Sequence, residues 1–361
     1  MVYIVLSPEE LLNWVWALWK AGYIAELFVK IIIFPGLIFL SLAVLLAVWF
    51  ERKVNARIHL RVGPYHVGPV MGLFQPIADF VKLLGKEIII PDNAHKLLFK
   101  AAPIAALTLS VLPVAFMPFG LYRPGLIPFV PDQPERYWVI YYSELSLLVI
   151  ILLLTMRPFI MIAAGWASRN KFCTLGALRA AFQLLAYEIP LLIAVASVVL
   201  VVGSFDLVEI VESQEKVWFG VIQPIGFAVF FVAMLAEVAR RPFDLPHAEQ
   251  EVIYGWFTEY SGVLYGCFMM AEYLDLTTVS LLLTALFMGG WLGPSFLPPI
   301  FWFLFKTSIV MMIILLLRGV FPRVRIDQLL SAGWAYLIPL ALIQVLITLA
   351  LVQFTPTLVG V

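Results

Sequence analysis

Apolar runs long enough to cross a bilayer recur along this whole chain, and they constrain its fold more than any other feature. A crossing helix needs roughly 20 predominantly apolar residues. Lipid offers no hydrogen bonds, so each run must satisfy its own backbone, as a helix does. Such runs lie at 27–50, 97–119, 138–156, 177–202, 218–239, 253–275, 300–319 and 332–354. Charged residues are 13% of the 361, about half the share of an ordinary soluble domain. The expectation is an all-α polytopic membrane protein. It has eight transmembrane helices in one membrane domain, 1–361, with amphipathic helices on its surface.

Charge sets the orientation. Basic residues crowd the connections after the first, third, fifth and seventh runs: Arg52, Lys53, Arg57 and Arg61; Arg157, Arg169, Lys171 and Arg179; Arg240 and Arg241; Arg318, Arg323 and Arg325. Positive charge favours the cytoplasmic side, which places both termini outside. The apolar stretch 276–292 could pass for a ninth span. If it crossed, Arg318, Arg323 and Arg325 would fall outside, and it ends in Gly-Gly-Trp-Leu-Gly-Pro. It is therefore read as interfacial or re-entrant. Residues 1–26 are rich in tryptophan and tyrosine and carry acids, with no basic leader, which suits an interfacial segment. The cytoplasmic loop 51–96 holds Leu73–Leu84, with apolar side chains at helical spacing, which predicts an amphipathic helix on the membrane surface. Arg157 is expected to snorkel to the cytoplasmic face.

Several function classes are disfavoured. Net charge is zero, so no nucleic-acid partner is expected. Cys173 and Cys267 form no metal-ligand pattern. There is no Gly-rich nucleotide loop and no cysteine cluster for iron–sulfur, so any electrons come from a partner. No internal repeat of the transporter kind is visible.

The chemistry concentrates in the connection 236–252 and its flanks, Ala236–Gly262, which read AEVARRPFDLPHAEQEVIYGWFTEYSG. Seven charged residues and His247 sit there beside apolar runs, and such charges are costly unless paired, wetted or buried in protein. Pro242 and Pro246 prevent one continuous helix. Glu237 and Arg241 are spaced to pair on a helix face. Acids within or at the ends of spans are candidate proton carriers: Glu188 mid-span, Glu259 about two turns into the sixth run, Glu237 and Glu51 at inner ends. The alternative is a structural polar contact between helices. His247 and Glu251 are four apart, but no second histidine joins them, so no metal site is expected.

These residues also resemble a family. Glu51-Arg52-Lys53, Arg61-Val62-Gly63-Pro64, Gln75-Pro76-Ile77-Ala78-Asp79, Tyr187-Glu188, Pro242-Phe243-Asp244-Leu245-Pro246 and Glu259-Tyr260-Ser261-Gly262 are similar to motifs of the H-type membrane subunit of respiratory complex I, called NADH dehydrogenase subunit 1 in mitochondria. The resemblance implies an eight-helix subunit at the heel of an L-shaped assembly in a cytoplasmic membrane. It implies a quinone-access chamber lined by the two cytoplasmic loops, with Arg52, Arg57, Arg61, Gln75, Asp79, Arg240, Phe243, Asp244, Glu249 and Glu251. It implies proton coupling through Glu51, Glu188, Glu237 and Glu259. Quinone is then the substrate, with iron–sulfur clusters held by partner subunits of the peripheral arm. Small membrane subunits leading to antiporter-like subunits, and lipid, complete the partners.

The chain departs from the family pattern at Tyr65-His66, Glu144, Arg157, Arg241 and His247. Related complexes take electrons from deazaflavin, ferredoxin or hydrogenase modules, and these residues do not separate them. Two other readings remain: a structural anchor or ion-translocating subunit of a hydrogenase-type relative, and an independent secondary transporter.

Overall fold

Among the described residues, seven helices are long and apolar enough to cross a membrane. The structure is a computed structural model, and it describes residues 23–68, 71–122 and 136–354. The expected interfacial segment 1–26 falls outside these but for its end. The helices that carry the argument are α1 (Leu37–Ile58), α2 (Gln75–Gly85), α3 (Lys96–Val111), α4 (Ser146–Thr155), α5 (Arg157–Ala167) and α6 (Lys171–Val202). They continue with α7 (Pro224–Glu237), α8 (Gly262–Phe287), α9 (Pro299–Val320) and α10 (Ile338–Phe354). The fifth expected span, 218–239, is a one-turn helix, Phe219–Ile222, followed by the 14-residue α7. Pro224 starts α7, a position where its missing N–H costs nothing. A two-residue antiparallel ladder pairs Leu121 with Tyr137 and Tyr122 with Arg136.

Helices α6 and α8 form the centre. α7, α5 and α10 pack on α6, while α3, α9, α1 and α2 pack around α8. α8 is enclosed by protein along most of its length, and its second half is largely apolar on every side. Leu276, Leu281, Leu282, Leu283 and Leu286 are fully buried along it. Three of its hydroxyls are bonded to their own helix: Thr277 to the Tyr273 carbonyl at 2.9 Å, Ser280 to the Leu276 carbonyl at 2.7 Å and Thr284 to the Ser280 carbonyl at 2.8 Å. No hydroxyl among these three needs water.

Three boundaries depart from expectation. The sixth run was expected at 253–275, with 276–292 as a separate interfacial or re-entrant stretch. The helix instead runs unbroken from Gly262 to Phe287, so 276–287 is its second half. Residues 253–261 lie outside it, in a turn around the 3-10 segment Gly255–Phe257. Gly255 explains the shift: its φ is +61°, and an added Cβ would lie 1.9 Å from the Pro246 carbonyl oxygen. The third run was expected at 138–156, but helix spans 146–167, interrupted where Pro158 forces a restart between α4 and α5. Arg157 does not snorkel. It is 6% exposed, with Nε 3.0 Å from Asp275 Oδ2 and Nη1 donating to the Glu237 carbonyl at 3.2 Å.

The end of α8 is closed by side chains from elsewhere. Lys306 of α9 donates to the carbonyls of Met288, Gly290 and Leu292, at 2.7, 3.1 and 2.7 Å. Gln214 donates to the Ala285 carbonyl at 2.8 Å and accepts from Gly289 N at 2.9 Å. A cation and polar caps at a helix C-terminus satisfy its orphan carbonyls.

Candidate functional site

At the basic end of the bundle, the turn after α7 folds back over the ends of α1, α8 and α9. Ala239–Asp244, His247 and Tyr254 cover Met269, Glu272 and Tyr273 of α8 and Arg318 of α9, enclosing a polar cavity of about 80 Å3. Glu51 anchors it. This carboxylate is 2% exposed. Arg240 Nη1 donates to both its oxygens at 3.1 Å, the Tyr273 hydroxyl donates at 2.9 Å, and Arg318 pairs with it as well. The Arg240 guanidinium also lies over the Tyr273 ring, 4.5 Å from its centroid.

The rest of the wall repeats the pairing of buried charge. Asp244 accepts from Arg323 Nη2 at 3.0 Å and lies 3.7 Å from Arg241 Nε. His247 Nε2 lies 2.9 Å from Glu272 Oε1, and its ring stacks on Phe257 at 4.7 Å. Burial works against the imidazolium, but the Glu272 and Asp244 carboxylates together hold the His247 pKa above its ordinary value. By hydrogen-bond geometry neither ring nitrogen of His247 has a partner among the described residues, so Nε2 meets Glu272 as an ion pair and Nδ1 is open. Four arginines thus face three carboxylates, Glu51, Asp244 and Glu272. The surplus cation and the histidine favour a ligand rich in carbonyl oxygens or developing negative charge.

A second cavity adjoins the first. It is apolar, about 220 Å3, and opens between α1, α2 and α8. Val44, Leu45 and Val48 line it from α1, Phe80 and Leu83 from α2, and Met269, Met270 and Tyr273 from α8. Met269 and Tyr273 are walls of both cavities. Arg52 and Asp79 mark its polar rim; they pair with each other, and Gln75 donates to Asp79 at 2.9 Å. The amphipathic helix expected over Leu73–Leu84 is α2, and it forms one wall of this opening.

The expected site residues therefore divide. Glu51, Arg240 and Asp244 meet around the polar cavity, and Arg52, Gln75 and Asp79 meet at the apolar one. Phe243 packs its ring 5.2 Å from that of Tyr187, behind the polar wall. Arg57 and Arg61 are exposed and line neither cavity. Glu251 pairs with Arg179 on an exposed face. Glu249 begins the short helix Glu249–Val252, and its side chain lies outside the described residues. Glu259 is not two turns into a span; it precedes α8, where Asn170 donates to it at 2.5 Å. Glu188 is half-buried on α6 and makes no ion pair or hydrogen bond among the described residues. Glu237 is 5% exposed, within electrostatic reach of Arg157, Glu188 and Asp275.

Glu272, Tyr273 and Arg318 were not anticipated as site residues. Their signal was present: Glu272 and Asp275 are acids inside an apolar run, and such acids call for a partner. Among the described residues, no group of three or more histidine, cysteine, aspartate or glutamate side chains is placed to hold a metal ion.

Residues 29–349 match the family model described as NADH dehydrogenase. The chain is similar to the H subunit of NADH-quinone oxidoreductase from Brevibacillus brevis, 43% identical over 312 residues, covering 85% of this chain and 88% of the relative. It is 42% identical to the protein of that name from Dehalococcoides mccartyi, over 90% of this chain and 86% of the relative. A third such protein, from Carboxydothermus hydrogenoformans, is 37% identical over 90% of this chain and 89% of its own length.

Proposed function

The chain belongs to the NADH dehydrogenase family, and from that premise we propose that it forms much of the quinone-access chamber of an NADH-quinone oxidoreductase and couples quinone reduction to proton movement. It is an integral membrane protein and a membrane subunit of a complex I-type assembly. The observation that carries the chamber reading is the shared wall between the two cavities. A membrane quinone has an apolar tail and a polar headgroup. The apolar opening between α1, α2 and α8 suits the tail, and the arginine-rich cavity beyond Met269 and Tyr273 suits the carbonyl oxygens.

The chemistry needs two electrons and two protons per quinone. The electrons come from clusters in partner subunits of the peripheral arm. The protons come from groups near the headgroup, and His247 is the best placed of them: it is buried, paired with Glu272 and has a free Nδ1. Removing a proton there changes the local charge, and the buried carboxylates Glu51, Glu237 and Glu188 respond through their own protonation. Glu188 and Glu237 lie on the path into the bundle, toward small membrane subunits and antiporter-like subunits.

The basic end of the bundle then faces the cytoplasm and both termini face outward, making eight crossings with Phe219–Glu237 as the fifth. Tyr273→Phe tests the chamber. It keeps the shared wall and removes the hydroxyl from Glu51. The expected result is a raised KM for a short-chain quinone, with donor oxidation by an upstream artificial acceptor unchanged. An unchanged KM would count against a headgroup near Tyr273.

A further inference from the structure

α1 is a partition between two apolar spaces. Val44, Leu45 and Val48 face the opening between α1, α2 and α8. Leu42, Leu46 and Ala47, on the other side of the helix, face a groove of about 340 Å3 between α1 and α9. Thr277 and Leu281 of α8 form its floor. Leu42 and Leu46 of α1 and Met312 of α9 are exposed at its rim, so the groove is continuous with the surface that an integral membrane protein turns to lipid. Among the described residues, no charged side chain lines it. Its hydroxyls need no water: Thr277 donates to the Tyr273 carbonyl at 2.9 Å, Thr307 to the Phe303 carbonyl at 2.8 Å and Ser308 to the Leu304 carbonyl at 2.7 Å.

The shape of the groove selects what can fill it. Toward the basic end of the bundle α1 and α9 close on each other: a Cβ on Gly319 would lie 2.5 Å from Ile58 Cδ1 and 2.9 Å from Asn55 Oδ1. The groove is blind at that end. A partner's transmembrane helix is rigid and about 10 Å across, and one laid along the groove would run into this contact. A flexible chain can stop short of it. The lining stretch of α1, residues 39–50, rises by about 17 Å, close to the reach of one leaflet of a bilayer core, about 15 Å. Left empty, the groove would deprive its lining of contact atoms on one side.

We propose that the groove between α1 and α9 holds one acyl chain of a phospholipid from the leaflet opposite the basic end, and that this chain, by backing α1, sets the width of the apolar opening on the other face of the same helix. With no charge in the lining, the site selects a chain and not a headgroup. The lipid site stands on the groove alone. Its effect on substrate rests on reading the apolar opening as the route of the quinone tail.

The test uses the assembled complex in proteoliposomes containing a trace of phosphatidylcholine or phosphatidylglycerol with a diazirine near the end of one acyl chain. Labelled peptides are mapped in the parent and in Ser308→Trp. Ser308 is exposed on α9 and lines the groove but neither of the other two cavities, so an indole there fills the groove from its rim. Label from both probes is expected within 39–50 and 304–315, displaced by unlabelled phospholipid, and several-fold weaker in Ser308→Trp. That variant is also expected to raise KM for a long-tailed quinone several-fold, because an indole cannot yield as a chain does. Label absent from both segments, or undiminished in Ser308→Trp, would overturn the lipid site. Label displaced by excess quinone and not by phospholipid would overturn it too, assigning the groove to a quinone tail. Both parent measurements hold even if Ser308→Trp fails to assemble. Lost label with an unchanged KM would overturn the effect on the opening. Failure of the chamber reading would show separately, as quinone labelling outside the apolar and arginine-rich cavities with the lipid label in place.

Discussion

Glu51 shows what a single residue settles. A carboxylate at 2% exposure is tolerable only because Arg240, Arg318 and Tyr273 converge on it. Removing one partner of such a pair leaves an uncompensated buried charge, at a cost of about 3–5 kcal/mol. Glu51→Gln is therefore expected to lower the thermal midpoint of the complex and to abolish most quinone reduction. Adding Arg240→Met should recover part of the midpoint, as unfolding curves would show. His247 gives a pH prediction. Its folded pKa is raised, so its contribution is complete below the ordinary value near 6.5 and is lost as pH rises through the raised one. Stability should fall on the alkaline side of that value, and His247→Gln should flatten the fall in a pH series of unfolding midpoints. Glu51, Arg240 and Asp244 were legible as candidates because charge beside a bilayer demands explanation. Glu272 carries the same signal, but the apolar run around it reads as an ordinary span. Arg57, Arg61 and Glu251 are exposed and line neither cavity, and where a charged side chain ends up is a property of packing that residue type does not reveal.

At the scale of elements, most spans were legible because apolar length decides them, and their ends were not. Hydropathy counts Tyr254, Trp256 and Phe257 as span, whereas Gly255 at φ +61° turns the chain against Pro246. Gly176 of α6 lets that turn approach closely, its missing Cβ leaving Gly255 Cα 2.6 Å from where it would stand. Gly255→Ala is expected to destabilise the turn by about 1–3 kcal/mol, as for other residues forced into strained backbone. Limited proteolysis within 239–261 should then become faster, with a lower quinone-reductase rate. The far end of α8 gives a matching prediction. Lys306→Met leaves three carbonyls without their donor, and unsatisfied buried groups cost about 1–3 kcal/mol each. A lower unfolding midpoint is expected, with KM for quinone unchanged, because Lys306 is remote from both cavities.

At the scale of the whole molecule, charge asymmetry and apolar length made the class readable, and the residue motifs made the family readable. The cavities were not, because they join residues far apart in the chain: Glu51 meets Arg240 across 189 positions and Tyr273 across 222. α1, α2 and α8 together make one apolar opening, and Met269 and Tyr273 form a wall that it shares with the arginine-rich space. That a quinone occupies the space on both sides of this wall is the central claim. Photolabelling of the assembled complex with a reactive quinone analogue, with and without excess quinone, tests it most directly. Label competed by quinone is expected within Glu51–Lys86 and Ala239–Tyr273. Label falling wholly on other subunits, or label that excess quinone does not displace, would contradict it.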